Sequence, residues 1–325
     1  MRTRLEYIDM MRGIILLVVI GHIIQFNNGP LDNPIFEFIY SFHMPLFFFI
    51  SGYIAQKTVH IHQVTHLIPF ILKKARALLI PMFVWQLFAS KLFLTDEWIT
   101  FDNINPLYVW NNPSLWFLKD LFLIFIIYSV YNLIIESYKL KNKLLLESLA
   151  LVSSLLLFGI LSFFDIASFK IIIYIYPFYL GNYVSRFPDL ERKLTGEISF
   201  AVFFFTFVII VCHWNFGGNM YDDILKVAIS TFASIIALTL SQKMHINNYL
   251  RCALIRYGNK SLSIYIIQFF LTVHLTGAEY LLTMNPFVAF SIYAIIAVLI
   301  AEICCIADSV ISQSKYSRLI LLGKK

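Results

Sequence analysis

Charged side chains are scarce in this 325-residue chain, since Asp, Glu, Lys and Arg together make up only 14% of it. Hydrophobic residues reach 59%, and the mean hydropathy is +0.76. Soluble domains contain about 25% charged residues, which they need to cover their surface in water. A soluble globular protein is therefore excluded, and the composition predicts an integral membrane protein. The net charge of +6 does not indicate nucleic-acid binding, because the basic residues lie in short breaks between apolar runs.

Cysteine is also rare, and the four residues of this type lie within or beside apolar runs. They are Cys212, Cys252, Cys304 and Cys305. Their spacing is not that of metal ligands, and an adjacent pair seldom forms a relaxed disulfide. We therefore expect four small buried side chains, no metal site and no permanently bound cofactor.

About ten apolar runs, separated by charged or Pro-, Asn- or Gly-containing breaks, have the length needed to cross a bilayer. They cover residues 10–26, 35–56, 77–94, 115–135, 144–163, 170–186, 198–214, 224–242, 261–281 and 287–311. Pro177 interrupts the run over 170–186, but proline is tolerated in membrane helices. No internal repeat or linker divides the runs. The sequence thus predicts an all-α, polytopic membrane protein with one domain over 1–325, built as a single bundle of about ten transmembrane helices.

Lysine and arginine are distributed unevenly between alternate breaks. Of the 25 basic residues, all but four fall on the side that carries the N-terminus. The exceptions are Lys91, Lys119, Lys170 and Lys226. Because cytoplasmic loops retain positive charge, we predict a multi-pass protein of the plasma (inner) membrane with both termini in the cytoplasm.

Two histidines lie inside the first two apolar runs. His22 is about 15 Å deeper than Arg12 at 1.5 Å per residue, and His43 lies about 12 Å inside the second, antiparallel run. An ionisable side chain at membrane depth is costly, so each is a functional candidate that faces the bundle interior. A lone membrane histidine often has only a structural role, but two at similar depth indicate a shared polar cavity. A neutral imidazole there can act as a general base towards a hydroxyl group.

Five stretches of the sequence, taken in chain order, resemble the pattern of a known protein family. They are YIDMMRG with GH (7–13 and 21–22), SFHMPLFFFISGY (41–53), KKARALLIP (73–81), LWFL (115–118) and YGNKSLSIY (257–265). This ordered set resembles the acyltransferase-3 family of membrane O-acyltransferases. The resemblance implies a ten-helix fold and an enzyme that O-acetylates or otherwise acylates bacterial surface carbohydrates. It also implies that Arg12 and His22 are essential for this activity.

Two positions depart from the family pattern. Relatives commonly place ten residues between the arginine and histidine of the first helix, whereas nine separate Arg12 from His22. On a regular helix this spacing rotates the two side chains about 80° apart, so a shared role requires a local distortion or an Arg12 that precedes the regular helix. Gln268 stands where relatives often have a histidine. It can hydrogen-bond a substrate but cannot accept a proton, so we assign it no catalytic step.

Two further groups have alternative interpretations. Lys73, Lys74 and Arg76 are either ordinary positive-inside residues or ligands for the phosphates of a cytosolic acyl-CoA. Trp116 is either part of the aromatic belt of the membrane or a wall of the acceptor site.

Three acidic or basic residues have simpler interpretations. Lys119 and Asp120 are expected to form a solvated pair near the outer end of the fourth run. Glu302, which is isolated within the last run, is expected to have a structural polar partner.

The leading hypothesis is transfer of an acyl group, taken to be acetyl, from acyl-CoA to a hydroxyl group of a surface or envelope carbohydrate. His22 would take the hydroxyl proton, Arg12 would orient the donor or stabilise charge near the thioester, and His43 would complete the polar cavity. No arrangement of Ser, Cys and His indicates an acyl-enzyme, so direct transfer is favoured. The expected partners are the lipid bilayer, acyl-CoA (acetyl-CoA), the carbohydrate acceptor and polysaccharide biosynthesis proteins, with no nucleic acid. The alternative is a carbohydrate or lipid-linked sugar transporter or export partner, a class that often has broken helices in two related halves.

Overall fold

The computed structural model describes residues 6–27, 33–58, 61, 63–93, 109–110, 115–137, 143–164, 170–243, 246–275, 280–281 and 284–324. Within these ranges the chain is helical, without a β-strand. In chain order the helices are α1 (Glu6–Arg12), α2 (Ile15–Asn27), α3 (Pro34–Tyr40), α4 (His43–Thr58), α5 (Val64–Phe93), α6 (Trp116–Ser137), α7 (Lys143–Phe163), α8 (Ile171–Arg186), α9 (Pro188–Leu194), α10 (Glu197–Val211), α11 (Met220–Lys243), α12 (Asn248–Asn259), α13 (Ser261–Val273), α14 (Pro286–Ile311) and α15 (Lys315–Leu322).

Six of the described helical segments are long and apolar enough to cross a membrane. They are Glu6–Asn27, Pro34–Thr58, Trp116–Ile135, Leu145–Phe163, Met220–Lys243 and Pro286–Ile311. The pair α9 and α10, bent by 61°, becomes a seventh if it is one span. These segments confirm the all-α, polytopic fold class, while the number of about ten spans stays a prediction. The predicted run over 261–281 contains the shorter apolar helix α13, and those over 77–94 and 170–186 fall in α5 and α8.

One face of α7 shows why such a helix suits a bilayer. Its exposed apolar residues are Leu145, Leu149, Val152, Leu156 and Ile160, each more than half accessible. They recur every three or four residues, which places them on one side of the helix. A continuous apolar stripe of this kind is unfavourable in water and favourable against hydrocarbon chains.

The helix boundaries follow local chemistry. At the start of α3 the side-chain oxygen of Asn33 accepts hydrogen bonds from the backbone N–H groups of Ile35 and Phe36, at 3.0 and 3.1 Å. This capping satisfies two donors that the helix itself leaves unpaired. Helix α8 continues through Pro177, as expected for the run over 170–186.

The chain divides into two compact units, each described by itself. The first comprises Met1–Ile54 and Leu180–Asp308, and the second comprises Ala55–Tyr179 and Ser309–Lys325. In the first unit α1 packs against α11 and α12, α2 packs against α3 and α13, and α10 packs against α11. In the second unit α6 and α15 pack against α5. The single domain predicted over 1–325 stays a prediction.

Two glycines allow α1 and α12 to approach closely. A β-carbon at Gly258 would lie 1.7 Å from the carbonyl oxygen of Asp9, and one at Gly13 would lie 2.8 Å from that of Leu254. A side chain at either position would therefore separate the two backbones. The contact aligns the first membrane segment with α12 and α13, so that Asp9 lies beside Gly258 and His22 lies beside Gln268.

The cysteines follow the sequence prediction only in part. Cys304 and Cys305 are buried in α14, as expected. Cys212 and Cys252 are exposed, so the prediction of burial is wrong for these two. Cys212 caps the C-terminal end of α10, and Cys252 lies on an open side of α12, where an apolar sequence context does not guarantee a packed neighbour.

Candidate active site

The first membrane segment is distorted between Arg12 and His22. α1 ends at Arg12 and α2 begins at Ile15. Around this break four backbone N–H groups bond to carbonyl oxygens three residues earlier, at 2.9–3.3 Å; they belong to Gly13, Ile14, Leu16 and Leu17. A 3₁₀ geometry turns about 120° per residue instead of 100°, so four such residues add the missing ~80°. This is the local distortion that a shared role of Arg12 and His22 requires.

Arg12 consequently lies beside α12 and His22 beside α13. The β-carbon of Arg12 lies against Gly258, 3.1 Å from where that residue would carry its own β-carbon. One guanidinium nitrogen of Arg12 is 3.8 Å from the carboxylate of Asp9, one turn earlier on α1. Asp9 is buried and Arg12 is about one-third exposed. The ion pair therefore orients the guanidinium group along α1 at the level of Gly258.

His22 has one polar partner on α13. Its Nδ1 atom lies 2.5 Å from Nε2 of Gln268, which is fully buried. Nε2 of Gln268 also lies 3.3 Å from the carbonyl oxygen of Tyr265, while its Oε1 atom has no hydrogen-bond partner among the described residues. The rings of Phe26 and Phe269 stand 5.7 and 6.0 Å from the imidazole. His22 thus sits among aromatic rings, with an amide on its Nδ1 side.

The orientation of that amide decides which tautomer of His22 is present. When Nε2 of Gln268 donates to Nδ1, the neutral imidazole carries its hydrogen on its own Nε2 and can only donate there. When the amide is rotated by half a turn, Oε1 accepts from Nδ1–H and leaves the imidazole Nε2 free to take a proton. This second arrangement gives the unpartnered Oε1 a donor, at the loss of the 3.3 Å bond from Nε2 to the carbonyl oxygen of Tyr265.

His43 has a fixed tautomer. It is buried at the start of α4, with Nδ1 2.8 Å from the carbonyl oxygen of Ile39. A carbonyl oxygen only accepts, so Nδ1 carries the hydrogen and Nε2 is free to accept one. The ring of Tyr40 stands 4.5 Å away. The same Tyr40 ring packs against Gly21, the residue before His22, so the two histidines lie in one neighbourhood.

A second polar network of the first unit was not found by sequence reasoning. The hydroxyl groups of Tyr7 and Tyr53 are 2.9 Å apart, and Tyr53 donates to the carboxylate of Glu191 at 2.7 Å. Gln242 donates to the same carboxylate oxygen at 2.6 Å. The four residues come from α1, α4, α9 and α11, so no local spacing connects them. The one available signal is that Tyr7 and Tyr53 both lie within the family-like stretches 7–13 and 41–53.

Glu302 has the structural partner that the sequence could not name. Its carboxylate accepts hydrogen bonds from the guanidinium group of Arg256 and, at 2.5 Å, from the phenol of Tyr257. Burial and the bond to Glu302 raise the pKa of the Tyr257 phenol above its usual range. Tyr257 therefore remains a hydrogen-bond donor at neutral pH and joins the end of α12 to α14.

The predicted phosphate ligands of the second unit differ in their surroundings. Lys73 is exposed on α5. The ammonium group of Lys74 lies over the ring of Phe125, 3.5 Å from its centroid, which is a cation–π contact. Arg76 is half-buried, and its Nε atom has no hydrogen-bond partner in the described part of the chain. Of the three, Lys73 is the most accessible to a ligand.

Trp116 and its neighbours form an aromatic and charged end of α6. The indole of Trp116 packs at 5.1 Å against the ring of Tyr174. Lys119 donates to the carbonyl oxygen of Trp110 at 3.0 Å. Lys119 and Asp120 are only 6% and 1% exposed, so the expectation of a solvated pair is wrong. Helix packing buries both side chains, which the position near the end of a run does not reveal.

Comparison with known proteins gives the family of this chain. The acyltransferase domain model of the acyltransferase-3 family matches residues 5–305. The nodulation protein NolL of Sinorhizobium fredii is 44% identical over 85 residues, which cover 24% of this chain and 22% of that protein. NolL of Mesorhizobium japonicum is 36% identical over 83 residues, which cover 24% and 21%.

The matched segment therefore spans only about a fifth of the length of either relative. No solved structure matches the chain significantly. The family model, in contrast, extends over nearly the whole chain and includes Arg12, His22, His43 and Gln268. This chain belongs to the acyltransferase-3 family.

Proposed function

We propose that this protein is a membrane O-acyltransferase that transfers an acetyl group from cytosolic acetyl-CoA to a hydroxyl group of a surface or envelope carbohydrate. Membership of the acyltransferase-3 family supports acyl transfer, and the family resemblance supports the donor and acceptor classes. The observation that carries the proposal is the contact of His22 with buried Gln268, close to His43 and within a membrane segment. We place the protein in the inner membrane, with both termini in the cytoplasm, on the basis of the charge asymmetry.

His22 is the proposed general base. With Oε1 of Gln268 facing Nδ1–H, the Nε2 atom of His22 takes the proton as the acceptor hydroxyl attacks the thioester carbonyl. The new ester bond forms, the bond from carbon to sulfur breaks, and the imidazolium returns the proton to the departing CoA thiolate. Oε1 of Gln268 accepts from Nδ1–H throughout, which stabilises the imidazolium. His43, with an accepting Nε2, would hold a second hydroxyl group of the acceptor.

Arg12 would orient the donor, because its guanidinium group lies at the level of Gly258, about 15 Å before His22 along the helix axis. We retain Trp116 as a proposed wall of the acceptor site, and polysaccharide biosynthesis proteins as proposed partners.

Lys73, Lys74 and Arg76 remain proposed ligands of the CoA phosphates. If they have this role, neutralising all three weakens acetyl-CoA binding and makes the remaining binding less sensitive to salt. If the triple variant inserted correctly into the membrane and bound acetyl-CoA with unchanged affinity, the three residues would serve only to set the topology.

Purified protein in detergent tests the function directly. We expect slow acetyl-CoA hydrolysis alone and faster CoA release when a carbohydrate acceptor is added. A transporter or export partner would release no CoA under either condition. Mass spectrometry of surface glycans from cells with and without the chain identifies the acceptor. Identical glycan acetylation in the two, together with no CoA release, would reject the proposal.

A further inference from the structure

A cavity of about 560 Å³ lies between the start of α1 and α12, within the first unit. Its walls include Glu6, Arg251, Cys252, Arg256, Asn259 and Lys260. Binding sites for small molecules commonly have volumes of about 300–1,000 Å³. Each of its three cations already contacts a carboxylate, since Arg251 meets Glu6, Arg256 meets Glu302 and Lys260 meets Asp308. An anionic ligand must therefore displace one of these partners.

The carboxylate in the wall is held only weakly. Arg251 contacts Glu6 at 2.6 Å, and the two side chains are 50% and 56% exposed. Water screens an ion pair this exposed, so an incoming group with two negative charges can replace Glu6 on Arg251. Lys260 is held from another side, by Asp308 at 3.3 Å and by the carbonyl oxygen of Cys305 at 2.8 Å. These contacts fix its position at the rim of the cavity.

The distance from this rim to His22 matches a known molecular length. Gln268, the partner of His22, is eight residues beyond Lys260, which is about 12 Å along α13. The pantetheine arm of CoA has twelve bonds between its phosphate oxygen and its sulfur, and spans about 14 Å when extended. A nucleotide bound in the cavity could therefore deliver its thioester to the neighbourhood of His22.

We propose that this cavity binds the phosphate groups of acyl-CoA, with Arg251 as the main contact and Lys260 at the inner rim. The inference rests on the proposed function, and it places a phosphate site on α12, within the first unit. Anionic lipid headgroups carry the same phosphate chemistry. The experiment must therefore separate the two sources of phosphate.

Two substitutions of the same ion pair give a sharp test. Arg251→Gln removes the cation and Glu6→Gln removes its competitor, while both abolish the ion pair itself. We expect Arg251→Gln to weaken acetyl-CoA binding roughly tenfold, because a charge-assisted hydrogen bond is lost, and Glu6→Gln to strengthen it. The effect of Arg251→Gln should be smaller with 3′-dephospho-CoA. Equal weakening by both variants, or no change in either, would overturn the inference.

Cys252 provides a measurement that needs no substitution. In detergent-solubilised wild-type protein, acetyl-CoA should slow alkylation of Cys252 by N-ethylmaleimide. Cys212, which is also exposed but lies just beyond the end of α10, should react at an unchanged rate. Turnover of acetyl-CoA without protection of Cys252 would reject this site and leave the proposed function intact. Failure of wild-type protein to bind or turn over acetyl-CoA would reject both. Protection by phosphatidylglycerol but not by acetyl-CoA would assign the cavity to lipid and overturn the inference.

Discussion

Replacing His22 by glutamine separates catalysis from structure at the proposed base. Glutamine has a polar side chain of similar reach that can still hydrogen-bond Gln268, but it cannot take up a proton. A general base typically contributes about 10²–10⁴-fold, which corresponds to about 2.7–5.4 kcal/mol of activation free energy. We therefore expect His22→Gln to lose at least about 100-fold in acetyl transfer while remaining folded.

His22→Ala should behave differently in stability. It removes the 2.5 Å contact of the buried Gln268 amide and leaves only the longer one to the carbonyl oxygen of Tyr265, which costs about 1–3 kcal/mol of unfolding free energy. The alanine variant should therefore lose both activity and thermal stability, and the glutamine variant mainly activity. The assay is acceptor-dependent CoA release by purified protein, with the melting temperature and acetyl-CoA affinity measured on the same samples.

His43→Gln is the matched control, because its amide can still donate to the carbonyl oxygen of Ile39. If His43 only lines the polar site around His22, the His43→Gln variant retains measurable acetyl transfer. Near-normal transfer by folded His22→Gln protein would refute the proposed role of His22. If His43→Gln were inactive in the same experiment, the base would be His43, whose Nε2 already has a free lone pair.

Three further perturbations test the site, the packing and the topology. Gln268→Leu should lower kcat much more than it raises KM for acetyl-CoA, and Gln268→Glu, which keeps an acceptor for Nδ1–H, should restore activity; equal losses in the two variants would contradict the positioning role. Gly258→Ala should destabilise the protein by at least about 1–3 kcal/mol, because its β-carbon would overlap the backbone of α1. Gly159→Ala on α7 is the control and should not destabilise the protein, because its β-carbon would meet no atom within 4 Å. Similar melting temperatures of the two variants would show that the close approach of α1 and α12 is unnecessary for stability. In a cysteine-free background, Asn219→Cys should react with an impermeant thiol reagent in intact cells and Asp189→Cys should not, since the basic residues place Asp189 inside; the reverse pattern would invert the topology.

The break in the first membrane segment illustrates what the spacing of two residues can and cannot predict. Nine residues between Arg12 and His22 implied an 80° offset, and hence a local distortion, an Arg12 that precedes the regular helix, or the loss of their joint role. The sequence could state the alternatives but could not choose between them. Backbone bonds of the 3₁₀ type around Gly13, and the close contact of α1 with Gly258, decide in favour of the distortion.

Gln268 and Arg251 show a different limit. The sequence indicates that Gln268 stands in for a histidine, yet its partner His22 lies 246 positions away in the chain. In the sequence Arg251 is one of many basic residues predicted to be cytoplasmic, whereas the structure gives it a contact with Glu6 and an adjoining cavity. Lys119 and Asp120 are the opposite case, since two charges near the end of a run are buried by packing.

The sequence by itself determined that the chain is an integral membrane protein, that its structure is helical, and that Arg12, His22 and His43 are its leading functional candidates. These conclusions depend on properties of contiguous residues. The free energy of placing a segment in hydrocarbon depends on the apolar and polar residues within that segment, so it can be read from the sequence. Tertiary structure decided that Gln268 meets His22 and that the cations of α12 line a cavity. Such contacts join residues far apart in the chain, and they arise from how helix surfaces pack against one another, which the pattern within a single helix does not encode.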